Sequence, residues 1–487
     1  MRTGITAKLI VAYDGQEHRL LHNGVVVYEN DTIIHVGKSY AGKLDKTINT
    51  RNRMIIPGLI CLHSHMVSAP FERGFRGDLS SRTFFDSDLY DRGGPFSASK
   101  TPADNRIALQ YSLSEMLRAG VTTILELGAV DALADEAIDL VGQSGIRAYL
   151  PQGHLSGKWY SPDGRNVAYE NYDGERWDEE PGFQALEQSK RFIKRYNGSF
   201  DDRIRNLLYP VQVDTCSAAL LKETREVANE RNLLITTHLC QSVHEFREMM
   251  RRYGMTAIEF LHKINFLGSD LIAAHTIMPA GHSRVGLADP FHRELLAIAE
   301  SGTTVAHCPH PFARYGIAME SYARYLEKGI NIGLGLDTWP YDMLREMKLA
   351  AILSKVVDAS PTVATAKDLF TSATLSGARA LHRSDLGRLA KDAKADLVVI
   401  RLDTFNLCPV TDPIYLLVHA ATRDDVEMVI VDGCIVVEEG QVLGMNQEKI
   451  FQEIQKCSDA LRHRVSTQDR AHRTADEINP PSLKDWK

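Results

Sequence analysis

Between about Ile55 and Ala380, short apolar runs alternate with amphipathic stretches of helical period, which restricts the chain to βα units around a parallel sheet. Eight runs read as strands: 55–65, 122–128, 146–153, 207–213, 233–239, 271–276, 303–309 and 330–337. Helical segments such as 103–119 and 218–231 lie between them. Eight units of this length predict an α/β chain built as a distorted (β/α)₈ TIM barrel. An open doubly wound sheet shares the texture, but no GxGxxG follows an early strand.

The flanks have a different character. Residues 7–12, 24–29 and 32–36 read as short strands, with Asn30 and Asp31 as a hairpin turn. The same texture returns at 395–401 (ADLVVIR) and 426–438 (VEMVIVDGCIVVE), where Asp432 and Gly433 separate two β-branched runs. The two ends are therefore expected to form one small composite β-sandwich, residues 1–55 and 385–445, with the barrel at 56–384 inserted between its halves. Residues 446–487 read as a helix over 448–463 and a polar tail with Pro480 and Pro481, either poorly ordered or covering a neighbour.

Composition narrows the partners. Of 487 residues, 44% are hydrophobic and 24% charged, which excludes disorder. The net charge of −7 gives no bulk electrostatic basis for binding nucleic acid or an anionic membrane. No apolar run approaches the ~18 residues of a membrane helix, and no secretory leader is recognisable. A cytoplasmic protein acting on a small molecule is the expectation. Seven cysteines without a CxxC pair suit reduced thiols, mostly buried as small apolar residues.

Chemistry concentrates at the strand ends. His63 and His65 are spaced by two on a strand and so share a face. One such pair among 18 histidines is a weak signal. Three further strands end on His238, His275 and Asp337, however, and C-terminal strand ends of a barrel converge on one mouth. Each residue alone could be a hydrogen-bonded core group; five unpaired polar groups buried at one point would be costly. Three imidazoles and a carboxylate suit one divalent cation, Zn²⁺ first, with Fe²⁺, Co²⁺ and Mn²⁺ also compatible.

These residues carry a resemblance. PGLICLHSH ending at His65, the strand-end His238 and His275, and GLGLD ending at Asp337 resemble the amidohydrolase superfamily. The likeness is specifically to its chlorohydrolase and aminohydrolase branch, which includes triazine hydrolases, cytosine deaminase, deaminases of adenosine derivatives, and hydrolases of N-aryl ureas and thiocarbamates. AGVTT from Ala119, GTTVAHCP from Gly302, and the DLGRL to ADLVV stretch from Asp385 extend it over nearly the whole chain. The resemblance implies a mononuclear metal held by His63, His65, His238 and Asp337, with Asp337 and His275 as catalytic groups beside a metal-activated water. No lysine occurs in 207–213, where binuclear relatives carry a bridging carboxylated lysine. Enzymes of this branch are commonly oligomeric, so a homo-oligomer, dimer or larger, is expected.

One departure shapes the functional expectation. Deaminases of the branch read HxxE after the fifth strand, whereas this chain has His238-Leu239-Cys240-Gln241. An amide does not titrate, so Gln241 cannot shuttle a proton. That favours a metal-dependent hydrolase of non-peptide C–N bonds in an amide, urea, carbamate or thiocarbamate, with Gln241 holding substrate. The alternative is a deaminase or dechlorinase of a nitrogen heterocycle, with Glu245, otherwise a structural helix residue, as substitute shuttle. A non-catalytic barrel scaffold is the reading from another class. His307, His310, Arg314 and Trp339, in the loops after strands seven and eight, are candidate substrate-binding residues. The 338–344 stretch offers aromatic surface for a flat substrate. The loop 71–95, with Phe75, Phe84, Phe85 and Tyr90, is a candidate lid or oligomer contact; Trp159 and Tyr160, after strand three, are similar candidates, with packing as the favoured role.

Overall fold

The computed structural model describes residues 1–79, 88–290 and 292–486. Phe84 and Phe85 lie outside the described residues.

Parallel pairing runs from Leu59–Ser64 to Val121–Glu126, Arg147–Tyr149 and Ile204–Arg205, and from Ile235–Leu239 through Leu271–His275 and Thr304–His307 to Ile332–Leu334. Parallel bridges close the ring: Leu208 to Ile235 and Gln212 to His238 on one side, Ser64 to Asp337 on the other. The expected barrel is therefore present. Its third and fourth strands are broken rather than continuous: Gly153–His154 and Tyr209–Pro210 pair separately beyond the first segments. Pro151 has no N–H to give the ladder, which is why the run 146–153 splits there.

Both chain ends enter one eight-stranded sheet. Lys46–Pro57 joins the halves, parallel to Arg2–Tyr13 and antiparallel to Leu397–Arg401. Its two faces do different work. Leu9, Val11, Met54, Ile56, Val398 and Ile400 pack on the barrel core, while Ile5, Ile10, Ile33, Ile55, Leu397 and Val399 enclose a small core of their own. A bulge between Ala7 and Leu9 lets Ile5 and Ile10 share a face despite their odd spacing. The turns at Asn30 and at Asp432-Gly433 take positive φ (55°, 48° and 74°), as hairpins of this type require.

The tail covers a neighbour. Ile450, Leu461 and Val465 of the helix Gln447–Gln468, with Ala475 and Ile478 beyond it, form a separate cluster with Phe71, Phe96 and Ile107. The C-terminal segment thus lies on the region that follows the first barrel strand. All seven cysteines are free. Among the described residues no helix is long and apolar enough to cross a membrane.

Candidate active site

The donors stand where the chain leaves the barrel ladder. His63 is the penultimate residue of the first strand, His238 pairs beside Ala274 across the fifth and sixth, and Leu239 pairs with His275. Asp337 bridges back to Ser64, and its carbonyl accepts the His65 N–H at 2.7 Å. His275 and Asp337 adopt left-handed backbone, with φ of 73° and 55°, as does Cys240 at 49°. Such conformations persist where surrounding structure over-determines them, and they gather at functional sites. Tyr341 supplies part of that determination: its buried hydroxyl donates to the Asp337 carbonyl at 3.1 Å and accepts the His65 N–H at 3.2 Å.

The rings converge. His63 Nε2 lies 3.5 Å and His65 Nε2 3.6 Å from Asp337 Oδ1, and the Nε2 atoms of His65 and His238 are 3.2 Å apart. Both of those rings have fixed tautomers, because His65 Nδ1 meets the Leu127 carbonyl at 3.1 Å and His238 Nδ1 meets the Val211 carbonyl at 2.6 Å. A carbonyl only accepts, so each Nδ1 carries the hydrogen and each Nε2 is a bare lone pair. Two facing lone pairs at that distance repel unless a cation lies between them. Burial reinforces the neutral forms: it holds the pKa of His63 and His65 down to about 3 and that of His238 to about 4. Both ring nitrogens of His63 are buried without a hydrogen-bond partner.

The donor set fits a divalent cation. With Zn–N bonds of about 2.0–2.1 Å, donors around one tetrahedral ion stand about 3.3–3.4 Å apart, and the three separations above bracket that value. The carbonyl partners of His65 and His238 are the outer contacts that orient imidazole ligands. His275 adjoins the set, its ring centroid 4.7 Å from His63 and 5.3 Å from His238, and its ligand atom lies within 4.8 Å of those of His63 and Asp337. Burial, then the neighbouring histidines, hold its pKa well below normal. Burial raises the pKa of Asp337, opposed by His65, His238 and Arg314.

A cavity of about 650 Å³ opens onto these groups. His65, His238 and Asp337 line it, with Gln241 and Arg314. Phe75, Leu89, Trp159, Phe312 and Tyr315 provide apolar wall. His307, His310 and Trp339 are not among its lining residues. His307 is buried against Tyr322, with ring centroids 6.0 Å apart, and His310 donates its backbone N–H to Glu346 at 3.0 Å. Trp339 lies under the Arg314 guanidinium, 4.0 Å from ring to carbon, and donates Nε1–H to the Glu72 carbonyl at 3.1 Å. Within the expected surface at 338–344, Thr338 lines the cavity, whereas Tyr341 is turned inward, its hydroxyl used between Asp337 and His65.

Glu245 has a structural task. One oxygen accepts the Cys240 N–H at 2.8 Å and the other the Gln241 N–H at 2.9 Å, which shapes the turn that presents Gln241. Sequence reasoning missed Asp131, whose carboxylate lines the cavity and accepts the Gly153 N–H at 3.1 Å. Its position after the second strand, beyond Gly128 at φ 105°, was the available signal.

The amidohydrolase family profile matches residues 54–436. The chain is 30% identical over 450 residues to 5′-deoxyadenosine deaminase of Methanosarcina barkeri, covering 92% of this chain and 95% of the relative. It is 31% identical over 436 residues to the 5-methylthioadenosine/S-adenosylhomocysteine deaminase of Thermococcus onnurineus, covering 86% and 93%. Among solved structures, a zinc-bound adenosine deaminase from Xanthomonas campestris superposes with a TM-score of 0.80 at 20% identity, over 95% of this chain and 98% of that one. Atrazine chlorohydrolase of Arthrobacter aurescens with zinc gives 0.77 at 21% identity, over 94% and 100%. These two likenesses concern the fold. Matched over most of its length, the chain belongs to the amidohydrolase family and is a metal-dependent hydrolase acting on carbon–nitrogen bonds.

Proposed function

We propose that the enzyme is a zinc-dependent deaminase of adenosine-type nucleosides, including those modified at the 5′ position. The observation that carries this reading is the likeness, over most of both chains, to two deaminases of 5′-modified adenosines. The expectation of a urea, carbamate or amide carbonyl, raised by Gln241 alone, has less support and becomes the second reading.

Deamination replaces the C6–NH₂ of the purine by a carbonyl: water adds to C6, the C6–N bond breaks and ammonia leaves. A bound divalent cation supplies a nucleophile at neutral pH by lowering the pKa of water from 15.7 to about 7. The protons must then be moved by this chain's own groups. Asp337, in the cavity wall, takes the two protons of the water in turn, giving one to the departing nitrogen and the other to N1, so that C6=O, N1–H and ammonia result. His275, held neutral, keeps that corner free of a competing positive charge. Gln241 binds the ring edge through its amide and leaves proton transfer to Asp337. The apolar wall with Phe75, Trp159 and Phe312 suits a flat purine, and 650 Å³ lies within the range of about 300–1,000 Å³ for small-ligand cavities.

Ammonia release from adenosine, 5′-deoxyadenosine and 5′-methylthioadenosine, compared with amine release from a phenylurea, a thiocarbamate and a triazine, tests the proposal. A kcat/KM for an adenosine at least about 100-fold above the rest, some 2.7 kcal/mol, is the expected result. Preferential release of an aryl amine would establish the second reading instead.

A further inference from the structure

Residues 446–487 lie beyond the matched family region, yet they hold part of the active-site wall. The wall has two pieces on this side: Ser68, Glu72 and Phe75 from one, and Leu89, Gly93 and Gly94 from the other. The two pieces touch directly through Phe75 and Phe96, ring centroids 4.7 Å apart, and one tail residue bonds to both. Asn479 Nδ2 donates to the Gly74 carbonyl at 2.8 Å, and Oδ1 accepts the Arg76 N–H at 3.1 Å, so both neighbours of Phe75 are bonded to one amide. The same Oδ1 accepts from Arg92 Nη2 at 3.0 Å, and Arg92 directly precedes the lining Gly93-Gly94 pair. Arg92 completes the tie by donating to the Ile478 and Arg76 carbonyls, each at 3.2 Å.

Other contacts bring Asn479 into place. A Thr474–Glu477 capping box starts the turn Ala475–Ile478 just before it, and Arg473 pairs with Asp91 at 3.0 Å. Arg92 and Asn479 are both buried, so the bonds are shielded from competing water. The apolar support is also separate: Phe71 and Phe96 of the wall region pack on Ala475 and Ile478 in a cluster distinct from the barrel core. Gly93 and Gly94 have no side chains by which the barrel could hold them.

We infer that Asn479 is a positioning residue for the substrate cavity: the tail fixes the wall that contacts substrate, while the metal-binding strand ends are held independently by the barrel. The inference uses the proposed deaminase only in choosing the substrate for its kinetic arm. In the full-length, metal-loaded enzyme, Asn479→Ala should raise KM for 5′-deoxyadenosine about tenfold, with kcat within about twofold and metal content unchanged. Backbone hydrogen exchange should quicken in 68–79 and 88–98 and stay as in wild type in the barrel strands. Asn479→Asp keeps the acceptor for Arg76 and Arg92 but loses the donor to Gly74; it should restore most of the KM and quicken exchange only in 68–79. If the alanine variant does not fold, that asymmetry in the aspartate variant decides the matter. Unchanged KM and exchange, equal exchange in the two segments of the aspartate variant, or a loss of kcat and metal with quicker exchange everywhere would overturn the inference. If the wild-type enzyme releases no ammonia, the functional proposal fails, and the exchange arm still decides the role of Asn479.

Discussion

His65 and His238 present their Nε2 atoms to each other at 3.2 Å, although each ring has already given its Nδ1–H to a backbone carbonyl. Neither nitrogen can donate to the other, so the pair suits a shared cation as common partner. That relationship fits a metal site better than a cluster of core histidines, in which one ring would be turned to donate.

His65→Ala and His238→Ala each remove one donor from this set. Metal affinity should fall by at least about 100-fold, more than is usual for the loss of an outer-shell contact, and activity should fall with it. Equilibrium dialysis against Zn²⁺ checks this, and wild-type affinity in either variant would refute the ligand assignment. Circular dichroism should stay as in wild type, since the Leu127 and Val211 carbonyls lie near the strand ends outside the main ladder.

Gln241 separates positioning from proton transfer. Gln241→Ala should lower kcat/KM for an adenosine by about 1–3 kcal/mol, roughly 5- to 150-fold, as for one lost hydrogen bond. Gln241→Glu adds a titratable group beside the water and should raise kcat for ammonia release by up to about tenfold if Asp337 alone now moves the proton. A fall in kcat in the glutamate variant, together with aryl-amine release by the wild type, would favour the carbonyl reading. Glu245→Gln, which replaces one of two oxygens bonded to backbone N–H groups, should lower stability by about 1–3 kcal/mol and raise KM.

His154 should impose an acid limit on the fold. It is fully buried, and its Nε2–H donates to Thr224 Oγ1 at 2.9 Å, because that hydroxyl spends its own hydrogen on the Leu220 carbonyl at 2.8 Å. Protonation would place a charge on Nδ1, which is buried without an acceptor. Burial accordingly holds the pKa down to about 3 from an ordinary 6.5. A depressed pKa on a base contributes stability that is present above pH 6.5 and lost as pH falls toward 3. At about pH 4.5 some 2–3 kcal/mol of it should be gone. Urea titrations should show the stability gap between wild type and His154→Gln shrinking by that amount between about pH 7.5 and 4.5. A gap independent of pH would show that His154 does not titrate in this way.

Much of the architecture was legible because periodicity reports burial. The runs ending on His65, His238, His275 and Asp337 are buried on both faces, as barrel strands are, and barrel closure carries their ends to one mouth. The turns at Asn30 and Asp432-Gly433 were equally plain, since few residues accept that backbone. Contacts between residues remote in sequence were not legible. Nothing local to Tyr341 says that its hydroxyl binds Asp337, and nothing in the polar 469–481 stretch says that Asn479 meets Gly74. Trp339 shows the converse error: an aromatic residue next to a ligand looks like substrate surface, yet its N–H is satisfied by the Glu72 carbonyl and its face by Arg314.

In the proposed enzyme His63, His65, His238 and Asp337 hold one divalent cation on which adenosine deamination depends. The most direct test is to strip the enzyme with a chelator, return Zn²⁺ in measured steps, and follow bound metal and ammonia release from 5′-deoxyadenosine together. Activity should rise in proportion to bound metal and level off at about one ion per chain. Full activity in the stripped enzyme, or bound metal that brings no ammonia release, would contradict it.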